Sequence, residues 1–171
     1  MGTDHTSTAS TTEETSEETT SHLLARTAVV VVSYAAPELL ESNLTQVCRD
    51  VPEARFVVVD SFSTPEAREA TLALAREHDW TVETPDTNTG FGGGVNLGAA
   101  RARAEGAEIL LLLNPDATIS RENLIRLVSR AQAEPLTLVA PVLTSSEGSI
   151  VADRTVVCLA DGSMRSPRST R

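Results

Sequence analysis

Aromatic residues are scarce in this sequence. They make up 3% of the 171 residues, while hydrophobic residues of all kinds make up 40%. A core with so few rings must be built from Val, Leu, Ile and Ala, and a chain of this length can bury such a core without disulfides or metals. Aliphatic runs are typical of parallel strands that helices cover. The composition therefore favours a single α/β domain.

Cysteine is also rare, and its two positions, Cys48 and Cys158, are far apart. They show neither the CxxC spacing of metal and redox sites nor the density of a secreted disulfide scaffold. No apolar run approaches the roughly 20 residues of a membrane span, and the amino terminus lacks the charged-then-apolar order of a signal peptide. We therefore expect a soluble protein of the reducing cytoplasm with no integral membrane segment.

Lys and Arg are absent from residues 1–22, and the chain as a whole has a formal charge of −10. An acidic domain without a basic stripe argues against nucleic acid as a partner, because phosphate backbones are bound by clustered Lys and Arg. Residues 1–22 are mostly Thr, Ser and Glu and have too little apolar surface to offset the entropy lost on ordering. We expect a disordered acidic tail there, with a partner-binding arm as the alternative.

Between residues 23 and 145, short β-branched runs alternate with segments of helical periodicity. Strands are predicted at Ala28–Val32, Arg55–Asp60, Trp80–Glu83, Glu108–Leu113 and Leu136–Leu143, and helices at Pro37–Arg49, Pro65–His78 (capped by Ser63-Thr64), Val95–Glu105 and Ser120–Ala133. Right-handed crossovers between such strands give a largely parallel, Rossmann-like sheet with helices on both faces. Residues 146–171 are expected to form a hairpin, with a turn at Asp161-Gly162, and a ragged end.

Polar residues follow four of the predicted strands. They are Ser33 and Tyr34, then Asp60 and Ser61, then Asn88 to Gly94, and finally Asn114-Pro115-Asp116. Ligands of open α/β sheets bind at the carboxyl ends of parallel strands, where helix N-termini also present unpaired N–H groups. We therefore expect the four clusters to meet at one edge. Simpler interpretations remain for three of them: Tyr34 as a rim aromatic, Asp60 as a cap and the Gly-rich stretch as a flexible loop.

Asp116 is the candidate metal ligand. The apolar strand before it ends abruptly in Asn114-Pro115-Asp116, and Pro115 restricts the backbone that presents the carboxylate. Mg²⁺ and Mn²⁺ prefer one or two carboxylates together with phosphate oxygens of a substrate, so the expected ligand is a diphosphate. Backbone amides of the Gly-rich stretch and of the next helix would hold its charge. A dinucleotide-binding GxGxxG motif is not matched, because Val95 stands in the place of the third glycine.

Taken together, these motifs resemble family 2 glycosyltransferases of the rhamnosyltransferase-like branch. The matching segments are Val31 to Tyr34, Val57 to Asp60 with Ser63-Thr64, the NxGFxxGxNxG pattern at 88–98, and Leu111 to Ala117. The resemblance covers about residues 27–145. It implies a GT-A fold, a nucleotide-diphosphate sugar donor, Mg²⁺ or Mn²⁺ as cofactor, and inverting transfer to a glycan or lipid-linked acceptor. It also allows peripheral association with a membrane.

The resemblance further implies a role for each matching residue. Tyr34 with Ser33 would lie against the base, Asp60 with Ser61 would sit by the base and ribose, Gly90, Phe91, Gly92, Gly93 and Asn96 would line the donor pocket, and Asp116 would bind the metal. Asn114 stands in the place of the first acidic residue of the family's DxD-type motif. The family has Asn where this chain has Ala35 and again where it has Ser61.

A general base is not expected within this chain. Family members carry an acceptor-side segment after the parallel half, and the resemblance implies that this chain is truncated before it. Asp153 and Asp161 are the nearest carboxylates, and a base must reach the attacking hydroxyl directly or through one water. Two interpretations therefore stay open: a glycosyltransferase or its amino-terminal portion, and a catalytically inactive, nucleotide-binding remnant of the same fold.

Overall fold

A computed structural model describes residues 17–135, 137–152, 156–157 and 164–165. The chain divides into two compact units, Met1–Pro135 and Leu136–Arg171. The elements of the first unit are α1 (residues 17–25), β1 (Thr27–Ser33), α2 (Pro37–Leu39), a π-helical turn (Leu40–Leu44, the π turn below), α3 (Thr45–Asp50), β2 (Arg55–Asp60), α4 (Pro65–His78), β3 (Thr81–Glu83), α5 (Gly90–Ala104), β4 (Ile109–Leu112) and α6 (Arg121–Ala133).

Strands β1 to β4 form one parallel sheet in the order β3-β2-β1-β4. Ala28 of β1 aligns with Arg55 of β2 on one side and with Leu110 of β4 on the other. Helical segments connect the successive strands, as parallel pairing requires. The predicted α/β sheet is therefore confirmed, and the carboxyl ends of its strands meet at one edge.

Alternate side chains of the central strands build two cores on opposite faces of the sheet. Val29, Val31 and Val58 belong to the larger core, which also contains Leu24 of α1, Val47 of α3, Ala75 of α4 and Leu124 of α6. The smaller core contains Ala28, Val30 and Val57 together with Ala102 of α5. Helices thus cover both faces, as the sequence predicts.

Helix α5 approaches the sheet closely through two glycines. A Cβ added at Gly98 would lie 2.4 Å from Val30 Cγ1, and one added at Gly94 would lie 2.7 Å from Val32 Cγ1. Only glycine leaves room for these contacts. The predicted start of this helix at Val95 is wrong, because the helix already begins at Gly90. Packing against the sheet outweighs the low helix propensity of the Gly-rich stretch.

Helix α1 occupies part of the segment that composition predicts to be disordered. Residues 17–22 are helical, and the helix continues into Leu23 and Leu24, which are 7% and 0% exposed. The Thr27 hydroxyl donates a hydrogen bond to the Leu23 carbonyl at 3.0 Å. Burial of these two leucines stabilises the helix, which its polar residues alone would not stabilise. Residues 1–16 lie outside the described residues.

The second unit contains antiparallel pairs. Strand β5 (Leu143–Thr144) pairs with β6 (Ile150–Ala152), and β7 (Val156–Val157) pairs with β8 (Met164–Arg165). A carboxyl-terminal hairpin is therefore confirmed. The predicted turn at Asp161-Gly162 and the candidate bases Asp153 and Asp161 lie outside the described residues.

The predicted fifth parallel strand, Leu136–Leu143, is wrong. Residues 137–142 form no strand, and Leu143 pairs with Ala152 in the antiparallel sense. Pro141 removes a backbone donor from this run, and Leu138 is fully exposed instead of joining a core. In the part of the chain that the structure describes, no helix has the length and hydrophobicity needed to cross a bilayer.

The two kinds of glycine in α5 give a direct test of its packing. We expect Gly98→Ala to lower the free energy of unfolding by about 1–3 kcal/mol, because its methyl group would overlap Val30. Gly92→Ala is the control: its Cβ would meet nothing within 4 Å, so it should stabilise the helix by up to about 1 kcal/mol. Urea unfolding followed by circular dichroism measures both. Equal effects of the two changes would contradict the close approach of α5.

Candidate functional site

Buried polar residues lie at the carboxyl edge of the sheet. Ser33 and Asp60 end β1 and β2 and are register partners. The Ser61 amide donates to the Ser33 carbonyl at 2.8 Å, which extends the pairing beyond the end of β2. All three residues are buried, whereas Tyr34 is 59% exposed. The edge therefore combines an exposed aromatic ring with buried polar residues at the ends of β1 and β2.

Asp60 is paired inside the protein. Its Oδ2 accepts a hydrogen bond from Arg68 Nε at 2.6 Å, and the two side chains are 2% and 20% exposed. The Arg68 guanidinium also donates to the Pro85 carbonyl at 2.5 Å and lies 4.7 Å from the centre of the Phe62 ring. Arg68 belongs to α4, so it links the end of β2 to the segment that follows β3.

Sequence reasoning missed Arg68. One signal for it existed, since a buried carboxylate needs a partner and Arg68 is the first basic residue after Asp60. The pairing could not be assigned from the sequence, because burial of Asp60 was itself unknown.

Asn88 fixes the start of α5. Its Oδ1 accepts hydrogen bonds from the Ser61 hydroxyl at 2.9 Å and from the Gly90 amide at 2.7 Å. Gly90 has φ +69°, a conformation that residues with a side chain rarely adopt. The structure therefore commits the Ser61 hydroxyl to an internal contact and ties the first turn of α5 to the end of β2.

The first turn of α5 is open on its outer side. Gly90, Phe91 and Gly92 are exposed, with Phe91 at 61%, and Asn96 is exposed one turn later. Gly93 lies beside the Thr89 side chain, which makes no capping hydrogen bond. The first N–H groups of a helix have no intrahelical acceptors and carry partial positive charge. This turn can therefore receive an anionic group.

Asp116 lies in a tight turn after β4. The Ala117 amide donates to the Asn114 carbonyl at 3.1 Å, which places Pro115 and Asp116 at the two central positions. Proline is favoured at the first of them. Asn114 and Asp116 are exposed. On the other side of the turn, Asn43 Nδ2 donates to the Pro115 carbonyl at 3.0 Å, a contact that sequence reasoning also missed.

The oxygen ligands available at this turn suit a hard cation that also binds a phosphate group. Among the described residues, no group of three or more His, Cys, Asp and Glu side chains could hold a metal by itself. Asp116 supplies one carboxylate and Asn114 one amide oxygen, and Mg²⁺ or Mn²⁺ commonly takes its remaining ligands from phosphate and water. The chemistry of the residues present therefore fits such an ion.

Ala35 has a left-handed backbone conformation, with φ 52°. This region costs residues with a Cβ about 1–2 kcal/mol, and Asn adopts it more readily than Ala. The family that the sequence resembles has Asn at this position. The backbone conformation offers a reason for that Asn other than a contact with a base.

Comparison with known proteins gives a consistent result. A family model described as "Glycosyl transferase family 2" matches residues 28–163. The low-salt glycan biosynthesis hexosyltransferase Agl10 of Haloferax volcanii is 28% identical over 121 residues, which are 70% of this chain and 37% of that protein. The chain thus spans little more than a third of this relative.

Solved structures with a similar fold include a mannosyltransferase and S. aureus TarS. Mannosyltransferase PcManGT from Pyrobaculum calidifontis, in complex with GDP-Man and Mn²⁺, has a TM-score of 0.53 and 24% identity over 70% of this chain and 34% of its own. S. aureus TarS 1–349, in complex with UDP-GlcNAc, has a TM-score of 0.50 and 22% identity over 64% of this chain and 32% of its own. At these identities, the likeness shows the fold.

The buried ion pair between Asp60 and Arg68 predicts how variants of these residues change the free energy of unfolding. Arg68→Leu should lower the free energy of unfolding at pH 7 by about 3 kcal/mol, because it leaves a buried carboxylate without a partner. The double variant Arg68→Leu/Asp60→Asn should recover most of that loss.

Arg76→Leu is the matched control on the same helix, since Arg76 makes an exposed pair with Glu69 at 3.5 Å. Such surface pairs contribute little, so its unfolding curve should stay close to that of the unchanged protein. If the Arg68 and Arg76 variants unfold alike in denaturant titrations, the pair at Asp60 has no special importance.

Proposed function

Because the chain belongs to glycosyl transferase family 2, we propose that it binds a nucleotide-diphosphate sugar at the carboxyl edge of its parallel sheet. In the whole protein, this donor site serves inverting transfer of the sugar to a glycan or lipid-linked acceptor. The observation that carries the proposal is the meeting of Tyr34, the open first turn of α5 and Asp116 at one edge. The chain covers 37% of the Agl10 hexosyltransferase, so donor binding is the step to test on this stretch.

Each wall of the site suits a different part of the donor. The exposed ring of Tyr34 can stack on the nucleobase, near the buried residues Ser33 and Asp60. The N–H groups at Phe91, Gly92 and Gly93 suit the diphosphate.

Asp116 and Asn114 would hold the cation between the protein and the diphosphate. When bound, Mg²⁺ or Mn²⁺ would offset the negative charge of the departing nucleoside diphosphate.

Proteins of similar fold support the class of ligand. PcManGT was solved with GDP-Man and Mn²⁺, and TarS with UDP-GlcNAc. These two donors carry different bases, so the tests below use a panel of nucleotides. The Asn-Pro-Asp sequence at 114–116 supports the rhamnosyltransferase-like branch, and the sparse cysteines support a cytoplasmic location.

A second function shares this site: a nucleotide-binding remnant that transfers nothing. It is favoured by the two aspartates at this edge: Asp60 is buried and paired with Arg68, and Asp116 is proposed for the cation, so neither is free to act as a general base. An assay for release of nucleoside diphosphate from the sugar donor separates transfer or hydrolysis from binding alone.

The metal site predicts that nucleotide affinity depends on a divalent cation. UDP or GDP should bind more tightly with Mn²⁺ or Mg²⁺ than with EDTA, and Asp116→Ala should remove this gain, because the carboxylate would be the protein's charged ligand for the cation. Isothermal calorimetry measures both affinities. Asp50→Ala is the control, since Asp50 ends α3 before the amino end of β2, away from the site. A gain that survives Asp116→Ala would exclude Asp116 as the metal ligand.

Stacking of the nucleobase on Tyr34 predicts a loss of nucleotide affinity that does not depend on metal. Tyr34→Ala should weaken binding of the matching nucleoside monophosphate about tenfold, because stacking of a base on an aromatic ring contributes about 1–3 kcal/mol. Tyr34→Phe keeps the ring and should retain most of the affinity. Fluorescence or calorimetric titration in EDTA gives the comparison. If both variants bind as the unchanged protein does, Tyr34 is only an exposed rim residue.

A further inference from the structure

The peptide between Pro115 and Asp116 is the central peptide of the turn that presents Asp116. The two common turn types differ by a rotation of this peptide: φ of the third residue is about −90° in type I and about +80° in type II. The non-glycine residues with positive φ in the described part of the chain are Ala35 and Asp79. Asp116 therefore has the negative φ of type I. Rotation of the peptide would reorient both the Pro115 carbonyl and the carboxylate of Asp116.

Asn43 holds the carbonyl of that same peptide. Its Nδ2 donates to the Pro115 oxygen at 3.0 Å in a partly buried contact between residues 72 positions apart. The Ala117 amide closes the turn from within but bonds to Asn114, outside the central peptide. The Asn43 side chain is therefore the described contact that opposes rotation of the Pro115–Asp116 peptide.

Asn43 belongs to the π turn, Leu40–Leu44. Its widened backbone is closed by the Thr45 amide, which bonds to the Leu40 carbonyl five residues earlier. Leu40 and Leu44 anchor the turn in the larger core, at 0% and 2% exposure. Short π-helical turns within helices occur frequently at functional sites.

We propose that Asn43 is a positioning residue for Asp116: by holding the Pro115–Asp116 peptide in one orientation, it directs the Asp116 carboxylate toward the cation that would bind the diphosphate. The proposal rests on the proposed function, because it concerns the same donor site. Asn43 acts through the peptide and does not itself contact the donor.

The test compares nucleotide affinity with Mn²⁺ and with EDTA in two variants that lack the amide donor, Asn43→Ala and Asn43→Leu. In both variants, the ratio of the affinity for UDP or GDP with Mn²⁺ to that with EDTA should fall about 3- to 10-fold, which is the effect expected for the loss of one hydrogen bond. Their affinity in EDTA should not change. Because the two variants differ in volume, a shared loss follows from the missing donor and not from packing.

Ser42→Ala is the matched control on the same turn, since the Ser42 hydroxyl bonds to the Leu39 carbonyl and not to the loop. It should keep the full gain. In an Asp116→Ala background, Asn43→Ala should have no further effect on nucleotide affinity, because the residue through which it acts has been removed. Thermal unfolding of every variant without ligand confirms that each is compared in its folded state.

The outcomes separate this inference from the proposed function. If the unchanged protein shows a Mn²⁺-dependent gain and both Asn43 variants retain it, the inference is overturned and the donor site stands. An equal loss of affinity in EDTA, or a loss that persists in the Asp116→Ala background, overturns it as well, since Asn43 would then act elsewhere. If the unchanged protein shows no gain with Mn²⁺, the proposed metal site fails and this inference fails with it.

Discussion

The close packing of α5 against β1 is the contact on which the rest of the site depends. Gly94 and Gly98 bring the helix backbone against Val32 and Val30, where no side chain would fit. A larger residue would move the helix away from the sheet and carry its first turn with it. Because Asn88 bonds both to Ser61 and to the Gly90 amide, that turn is also tied to the end of β2. Packing of the smaller core thus sets the place where an anion can bind.

Local signals in the sequence predicted most of the sheet, and contacts between distant residues account for what was missed. Strand β2 lies at Arg55–Asp60, where its β-branched run placed it, and Ser120 caps α6 by accepting from the Asn123 amide. The four polar clusters do meet at one edge, because strand direction follows from the alternation of strands and helices. The start of α5 was misplaced because glycine has low helix propensity, and the role of Gly94 depends on Val32. The bonds of Arg68 and Asn43 depend on burial and loop placement, which no local pattern encodes.

The two aspartates of the site have different environments and therefore different chemistry. Asp60 is buried beside Arg68, so its charge is balanced before any ligand arrives. Asp116 is exposed on its turn. Two unpaired carboxylates would repel an approaching diphosphate. Because Arg68 balances the charge of Asp60, only Asp116 of this pair would repel it. Arginine suits the position because its planar group contacts a carboxylate, the Pro85 carbonyl and the Phe62 ring together.

Ala35 occupies a position where the family that the sequence resembles has Asn, and its backbone is left-handed, with φ 52°. The left-handed bend at Ala35 persists although alanine has no intrinsic preference for it. The neighbours on both sides hold it: Ser33 is fixed in the sheet, and the Ala36 carbonyl accepts from the amides of Leu39 and Leu40. The bend is thus held by contacts of the surrounding chain, although a left-handed conformation costs alanine about 1–2 kcal/mol. Because neighbouring contacts hold the bend, the backbone path after β1 does not depend on an Asn side chain at this position.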